Sequence, residues 1–281
     1  MTVVLIAKPG MLTKDHVARV PGPARWLAEN EAAEVDGPLP DGVRQALDPE
    51  GVDVNVIAEG PRRKKLLIAD MDSTMIHQEC VDEMAAHAGI GEKVAAITAL
   101  AMDGKLGFEE AMVERVGLLK GLPLAALQEV FETRISLMEG GPTLLATMRA
   151  HGAYAALVSG GFTFFTERVA ARLGFDEHRA NTLLEDGGRL SGDVARPILG
   201  REAKVDALEE LTARLDLSDA DILAVGDGAN DLGMLGRAGL GVALHAKPSV
   251  QGQCDVRINH GDLTALLYLQ GYAKSDFVLP S

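Results

Sequence analysis

Two aspartates, Asp70 and Asp72, directly follow an apolar run in the segment LLIADMDSTMI, residues 66–76. A short, continuous apolar run is typical of a fully buried strand, which places both carboxylates at the end of that strand. Negative charges held this close repel one another, and burial strengthens the repulsion. The segment therefore predicts a site that binds a cation or keeps a proton.

Polar residues and glycines follow two further apolar runs, YAALVSGG at 154–161 and DILAVGDG at 221–228, and a lysine lies in a helical stretch between them. Taken singly, such residues are explained by helix caps, turns and solvated faces. Because ligands of α/β sheets bind beyond the carboxyl ends of the strands, we expect these residues to meet in one crevice. They are Asp70, Asp72, Thr74, Ser159, Gly160, Gly161, Lys204, Asp227, Asn230 and Asp231.

The elements that position these residues alternate between strand and helix from residue 64 onward. This alternation predicts an α/β fold with a doubly wound parallel sheet that is covered by helices on both faces. The expected strands are 66–70, 154–159, 221–228, 240–244 and 256–258, and the expected helices include 163–173, 201–215 and 229–237.

A long interval between the first two expected strands has helical periodicity and no convincing strand. We expect a helical cap inserted at about 78–147, on the loop after the first strand. Such a cap would open for a substrate and close over the carboxyl ends of the strands to exclude water.

Residues 1–62 differ in character from the rest of the chain. Two strand-like runs, TVVLIA and DVNVIAEG, are separated by acidic sequence that is broken by glycine and proline. We expect a small N-terminal α/β domain of unknown role, followed by a core domain at 63–281. The basic segment GPRRKK at 60–65 resembles a linker between them.

The composition limits the partners and the compartment. The 281 residues carry a net charge of −14, with 41 acidic and 27 basic side chains. An acidic surface repels nucleic acid and anionic membranes, so neither is an expected partner. No apolar run reaches the ~20 residues that span a bilayer, the start of the chain does not resemble a signal peptide, and two cysteines make no disulfide framework. We expect a cytoplasmic monomer or homodimer.

The chemistry that these residues suggest is magnesium-dependent phosphoryl transfer. A carboxylate can attack phosphorus to give an aspartyl phosphate, which water then hydrolyses. Mg²⁺ prefers oxygen ligands, such as Asp70 and Asp227, and offsets the repulsion between carboxylate and phosphate. Asp72 can protonate the leaving alkoxide. The groups that can hold phosphate oxygens are Lys204, the Ser159 hydroxyl and the amides of Gly160 and Gly161.

These motifs resemble those of the haloacid dehalogenase (HAD) superfamily. DMDST is similar to its DxDxT motif, SGG to its second motif, Lys204 to its third and GDGANDLGM to its fourth. Within the superfamily, DMDSTMIHQECVDEMA and MDGKLGFEEAMVERVGLLKGLP resemble segments of the phosphoserine phosphatases. The resemblance covers residues 64–270 and implies a HAD-like core, a Mg²⁺ cofactor and hydrolysis of O-phospho-L-serine, the last step of serine biosynthesis.

The resemblance also implies a role for each residue. Asp70 would be the nucleophile and Asp72 the general acid and base. Mg²⁺ would be bound by the Asp70 side chain, the Asp72 main-chain carbonyl and the Asp227 side chain. The other implied roles are phosphate binding by Ser159, Gly160 and Lys204, substrate contact by Asn230, and orientation of Lys204 by Asp231.

A pocket for phosphoserine needs an anion for the ammonium group and a cation for the carboxylate. By the resemblance, Glu79 and Arg115 in the cap would take these roles, and the fork of an arginine suits a carboxylate. Met102 and Phe108 match cap residues that exclude water around the substrate. The ordinary alternatives are a solvated helix start for Glu79, a surface ion pair for Arg115, and cap core for Met102 and Phe108.

Other functions fit the same sequence. The aspartyl phosphate could pass its phosphoryl group to another alcohol, such as homoserine, instead of water. Residues 1–60 could bind an amino acid such as serine, which would make the chain a regulatory sensor. A sugar phosphatase agrees less well with Glu79 and Arg115, because their opposite charges favour a zwitterionic substrate.

Overall fold

The structure is a computed structural model that describes residues 1–102 and 105–280, without the side chain of Met102. Within those residues no helix is both long and apolar enough to span a bilayer. The strands form a four-stranded sheet, a six-stranded sheet and a two-stranded hairpin.

The N-terminal part is an antiparallel sheet with two short helices. Its strands lie in the order β2-β3-β1-β4, which is the split βαβ arrangement. The elements are β1 (Thr2–Ala7), α1 (Lys14–Ala18), β2 (Ala24–Ala28), β3 (Ala32–Asp36), α2 (Val43–Leu47) and β4 (Val52–Ile57).

Both faces of this small sheet are covered, because side chains alternate between its faces along each strand. Val3 and Leu5 pack with Val17 of α1, whereas Val4 and Ile6 join the main hydrophobic core. The N-terminal part therefore packs directly against the rest of the protein.

Two buried polar side chains of β4 reinforce this contact. The Asp53 carboxylate accepts hydrogen bonds from the three backbone amides of residues 259–261, at 2.7, 3.0 and 2.9 Å. The Asn55 amide group donates to the Arg257 carbonyl and accepts from the Arg257 amide, each at 2.9 Å. Burial raises the pKa of Asp53, while the three amides oppose that shift.

The core is built on a parallel sheet with strand order β12-β11-β10-β5-β6-β7. Its first elements are β5 (Leu66–Ala69), α3 (Cys80–His87), α4 (Gly91–Met102), α5 (Phe108–Leu118), α6 (Leu124–Thr133), α7 (Gly141–Ala150), β6 (Tyr154–Phe162) and α8 (Thr163–Leu173). Next come β7 (Glu177–Asn181), β8 (Leu183–Asp186), β9 (Arg189–Val194) and α9 (Arg201–Arg214). The last are β10 (Ile222–Gly226), α10 (Leu232–Arg237), β11 (Leu240–Leu244), α11 (Pro248–Gln251), β12 (Val256–Ile258) and α12 (Ala265–Leu269).

The sheet is doubly wound, and alternate residues of its strands face different helices. Leu66 and Ile68 of β5 pack in one cluster with Leu208 of α9. Leu67 and Ala69 pack in another cluster, with residues of α7, α8 and α12. A strand buried on both faces must be apolar throughout, which explains the continuous apolar runs in the sequence.

Helices α3 to α6 form the cap, while α7 packs on the sheet beside β6. Two chain segments join the cap to the core, and they meet where the Met138 amide donates a hydrogen bond to the Met75 carbonyl at 2.9 Å. The hairpin β8–β9 reaches up to the turn between α5 and α6, where the Gly121 amide donates to the Leu190 carbonyl at 2.8 Å. This hairpin is thus a second link between core and cap.

The predicted fold class is confirmed: a parallel, doubly wound sheet carries a helical insertion and a small N-terminal α/β part. The structure adds five strands that the sequence interpretation missed: the pair β2–β3, strand β7 and the hairpin β8–β9. The predicted division into domains at 1–62 and 63–281, with a cap at 78–147, stays a prediction.

Candidate active site

The candidate site lies at the carboxyl ends of β5, β6 and β10, three neighbouring strands. Asp70 and Asp227 each come directly after the last residue of their strand, and residues 159–161 lie near the end of β6. The Asp70 amide donates to the Val225 carbonyl at 3.0 Å, which fixes the start of the loop. The structure therefore brings the predicted strand-end residues together.

Lys204 is a buried cation between two carboxylates. Its Nζ lies 2.7 Å from Asp70 Oδ2 and donates to Asp231 Oδ1 at 2.5 Å. Burial alone would lower the pKa of this lysine, but the charges of Asp70 and Asp231 raise it above its ordinary value. The lysine therefore keeps its positive charge beside Asp70.

Asp72 lies at the start of the first cap helix. Its Oδ1 accepts a hydrogen bond from the amide of Cys80, the first residue of α3, at 3.2 Å. Burial, and then the negative charge of Glu79, raise the pKa of Asp72 to about 8. This carboxyl group is thus mostly protonated at neutral pH, which is the state that a general acid needs.

Three carboxylates have the donor atoms for a divalent cation. Oxygen atoms of Asp70, Asp227 and Asp231 all lie within 4.8 Å of one another. Burial, and then Asp70, raise the pKa of Asp227 to about 6, while Thr74 Oγ1 donates to Asp227 Oδ1 at 3.2 Å. Because oxygen ligands and crowded negative charge suit a hard cation, these residues fit Mg²⁺.

The loop after β10 is held by Asp231 itself. Its Oδ2 accepts the Gly228 amide at 3.0 Å, while its Oδ1 contacts Lys204. Burial and Asp70 raise the pKa of Asp231 to about 7, and Lys204 opposes that shift. Asn230 lies beside Gly228, where a Cβ atom would come within 2.2 Å of Asn230 Oδ1, so a larger residue would make the Asn230 side chain move.

The predicted phosphate-binding residues of β6 lie where the strand bulges. The pairing of β6 with β7 shifts register between Val158 and Phe162, so the intervening residues leave the regular ladder. The Gly161 amide donates to Ser159 Oγ at 2.8 Å. A Cβ atom on Gly161 would lie 2.8 Å from Asp72 Oδ2, so this glycine allows the backbone to approach the carboxyl group.

Glu79 is the residue directly before α3, and it is tied to the loop that follows β5. Ser73 Oγ donates to Glu79 Oε1 at 2.8 Å, with Ser73 in a left-handed conformation at φ +54°. Glu79 keeps an exposed surface, but partial desolvation raises its pKa, the Ser73 hydrogen bond lowers it, and Asp70 raises it further. The predicted solvated helix start therefore has a defined partner.

Arg115 on α5 is half-buried in the cap. Its Nε donates to the Ala111 carbonyl one turn earlier, at 3.2 Å. Burial lowers the pKa of Arg115, and the charges of Asp82 and Glu79 raise it. An arginine and a glutamate of the cap are thus close enough to influence each other electrostatically, as a zwitterion pocket requires.

Phe108 at the start of α5 contacts the core directly. A Cβ atom built on Gly160 would lie 3.3 Å from Phe108 Cζ, and one built on Gly200 would lie 3.4 Å from Phe108 Cδ1. The ring therefore rests on the β6 bulge and the start of α9 rather than in the cap core. The Met102 side chain lies outside the described residues, so its predicted role stays a prediction.

Two residues of the site were missed in the sequence. Ser73 holds Glu79, and its position inside the DMDST segment was the available signal. Asn181 holds the loop around Gly160, but it is the last residue of β7, a polar strand that the apolar pattern does not reveal.

The protein-family model that matches this chain describes haloacid dehalogenase-like hydrolases and covers residues 67–236, more than half of the chain. The chain belongs to this family. Curated relatives are named phosphoserine phosphatase. One from Polaromonas sp. is 47% identical over 210 residues, which is 73% of this chain and 89% of the relative. One from Archaeoglobus fulgidus is 39% identical over 242 residues, which is 85% of this chain and 69% of the relative.

A solved structure extends the similarity to the N-terminal part. The HAD family hydrolase from Salmonella enterica subsp. enterica serovar Typhi superposes with a TM-score of 0.85 at 33% identity, over 95% of this chain and 98% of that one. Together with the relatives, it confirms the predicted family, the fold and an enzyme of the phosphatase class. The roles of the individual residues remain predictions.

Proposed function

We propose that the chain hydrolyses O-phospho-L-serine to L-serine and phosphate with Mg²⁺ as its cofactor. The observation that carries the proposal is the buried contact of Lys204 with Asp70, next to Asp227 and close to the charged cap residues Glu79 and Arg115. Relatives named phosphoserine phosphatase support the choice of substrate.

In the first step, the Asp70 carboxylate attacks phosphorus and the bond from phosphorus to the serine oxygen breaks. Lys204 carries a positive charge within 2.7 Å of Asp70 and can stabilise the charge on the transferring group. Asp72, with a pKa of about 8, gives its proton to the leaving serine oxygen. The products of this step are L-serine and an aspartyl phosphate.

In the second step, water attacks the phosphorus of the aspartyl phosphate. Asp72, now ionised, takes a proton from this water, and the bond between phosphorus and Asp70 breaks. Phosphate leaves and the carboxylate of Asp70 is restored. One residue thus acts first as the acid and then as the base.

A metal ion has a defined place in this scheme. The side chains of Asp70 and Asp227 would hold Mg²⁺, together with the Asp72 main-chain carbonyl. The ion would offset the repulsion between the attacking carboxylate and the phosphate group. Asp231 is engaged by Lys204 and by the Gly228 amide, so we assign it to the orientation of Lys204.

The rest of the substrate would be recognised by the cap and the bulge. Glu79 would pair with the ammonium group and Arg115 with the carboxylate, each through charge-assisted hydrogen bonds. Phe108 covers Gly160 and would exclude water from the phosphate group. The further residues that would contact the phosphate group or the rest of the substrate are Ser159, Gly160, Gly161, Lys204, Asn230 and Met102.

The test is release of phosphate from O-phospho-L-serine with Mg²⁺, compared with EDTA and with a panel of sugar and nucleotide phosphates. We expect release that needs the metal and is selective for phosphoserine. Release only from other esters would reject the substrate but keep the chemistry. Formation of a phosphorylated alcohol when homoserine is added would favour phosphoryl transfer over hydrolysis.

The proposal includes a cytoplasmic location and a small-molecule substrate, without nucleic acid or membrane as a partner. The net charge of −14 and the two unpaired cysteines, Cys80 and Cys254, agree with it. Oligomeric state, including a homodimer, stays a prediction.

A further inference from the structure

The bulge in β6 takes residues 159–161, the phosphate-binding loop of the proposal, out of the regular ladder with β7. Val158 pairs with Arg179 and Phe162 pairs with Asn181, so four steps along β6 match two steps along β7. The extra residues of β6 include Gly160, whose carbonyl group lies in the partly buried interior. A carbonyl in that place needs a donor from elsewhere.

The donor is the side chain of Asn181. Asn181 is only 2% exposed, and its Nδ2 donates to the Gly160 carbonyl at 2.9 Å. The same Nδ2 donates to the Leu199 carbonyl at 3.1 Å, and Oδ1 accepts the Leu199 amide at 2.7 Å. Three hydrogen bonds of one buried amide group therefore connect the bulge to the segment before α9.

That segment positions the buried lysine. Gly200 follows Leu199 and caps α9, which begins at Arg201 and carries Lys204 in its first turn. The Lys204 ammonium group contacts Asp70 at 2.7 Å. A shift of Leu199 would therefore move the start of the helix on which the phosphate-binding lysine stands.

The same two segments support the cap. The ring of Phe108 rests on Gly160, whose carbonyl group Asn181 binds, and on Gly200, which follows Leu199. The Asn181 amide group thus fixes the distance between the two backbone segments that the start of α5 contacts.

We propose that Asn181 is a positioning residue, which sets the spacing between the two halves of the phosphate-binding site, residues 159–161 and Lys204. The inference rests on the proposed function, because it treats these residues as the phosphate site. Asn181 touches no reacting atom in this account and acts only through the backbone at Gly160 and Leu199.

The experiment compares Asn181→Leu with a matched control, Asn55→Leu. Leucine has nearly the shape of asparagine, adds no charge and removes every hydrogen bond of the amide group. Asn55 is also a buried asparagine whose amide group holds a backbone peptide, but it lies between β4 and β12, away from the site. Both variants leave buried backbone groups unpaired, so both should lower the melting temperature.

The decisive readout is the affinity of the Mg²⁺-loaded protein for inorganic phosphate, measured by titration calorimetry at a temperature where all variants are folded. We expect Asn181→Leu to weaken phosphate binding by about tenfold or more, because a displaced bulge or Lys204 would lose at least one hydrogen bond to the charged phosphate, and such a bond is worth about that much. With phosphoserine, its kcat should fall while Asn55→Leu keeps the kcat of the unchanged protein. Asn181→Ser, whose hydroxyl can replace one of the three bonds, should bind phosphate with an intermediate affinity.

Equal phosphate affinity in Asn181→Leu and the unchanged protein would overturn the inference, and so would equal weakening in both leucine variants. If Asn181→Leu does not fold, Asn181→Ser and Asn55→Ser give the same comparison. Phosphate binding does not depend on the choice of ester, so failure to hydrolyse phosphoserine would reject the proposed function and leave this test intact. A lack of phosphate binding by the unchanged protein would overturn the inference.

Discussion

Lys204→Met would remove the buried cation of the site and keep most of the volume of the side chain. The ammonium group lies 2.7 Å from Asp70 and 2.5 Å from Asp231, and these two aspartates are 6% and 0% exposed. Asp227 places a third carboxylate within 4.8 Å of these two. Asp227 and Asp231 have raised pKa values of about 6 and 7 with Lys204 in place, and without the cation we expect these pKa values to rise further, so that the folded protein keeps an extra proton near pH 7.

The energetic consequence follows from linkage between protonation and folding. Because the carboxyl groups of the unfolded chain are the same in both proteins, the loss of stability depends on how far a folded pKa rises above its value in the unchanged protein, and a rise of one pH unit in that pKa costs about 1.4 kcal/mol. A raised folded pKa costs stability only above its starting value, so the loss fades below about pH 6, where Asp227 and Asp231 are largely protonated in both proteins, and grows as pH rises. For one extra proton, the loss of stability should increase by about 1.4 kcal/mol per pH unit above about pH 7.

The assay is urea unfolding at pH 6, 7 and 8 in EDTA, so that no metal replaces the missing charge. The free energy of unfolding of the variant is subtracted from that of the unchanged protein at each pH. Lys64→Met is the control, because the Lys64 ammonium group donates hydrogen bonds to two neutral groups, the Pro61 and Ala220 carbonyls, each at 2.7 Å. Its effect should change little over this range.

A Lys204→Met difference that stays constant from pH 6 to 8 would refute the reasoning, because it would show that no carboxylate changes its protonation. A difference below about 1 kcal/mol at pH 7 would also contradict it, since breaking a buried pair by removing one partner ordinarily costs 3–5 kcal/mol.

Two further predictions concern the cap and the N-terminal part. Arg115→Ala should raise KM for phosphoserine at least about tenfold more than KM for a phosphate ester without a carboxylate, because the lost contact is charge-assisted. The control, Arg134→Ala on the cap surface, should change neither KM. An equal effect of Arg115→Ala on both substrates would remove this arginine from carboxylate recognition. Asp53→Ala should lower the free energy of unfolding by about 2–4 kcal/mol, because it leaves the amides of residues 259–261 without their acceptor. Urea unfolding measures this free energy, and an unchanged midpoint would show that the contact between β4 and the core adds no stability.

The parts of the fold that could be predicted are those buried on both faces. Strands β5, β10 and β11 are apolar at nearly every position, so their place in a parallel sheet is written in the local sequence. Strand β7, with the sequence EHRAN, lies at the edge of the sheet and is half-exposed, so it carries no apolar run. The hairpin β8–β9 is largely exposed and polar, which hides it for the same reason.

The same distinction separates the contacts of the site that could be predicted from those that could not. The meeting of Asp70 with Asp227 follows from the rule that ligands bind at the carboxyl ends of parallel strands. The contact of Asn181 with Gly160 depends on the unpredicted edge strand and on a register shift, which no periodicity encodes. The contact of Ser73 with Glu79 depends on a single left-handed residue in a loop, where tertiary context decides the backbone conformation.

The most direct test of the central claim is to locate the phosphoryl group during turnover. The protein is mixed with phosphoserine and Mg²⁺, quenched in acid within milliseconds, digested and examined by mass spectrometry. We predict one phosphoryl group on the peptide that carries Asp70, and neither this adduct nor turnover in Asp70→Asn, which should remain folded. A phosphoryl group on another residue, or normal turnover by Asp70→Asn, would contradict the account.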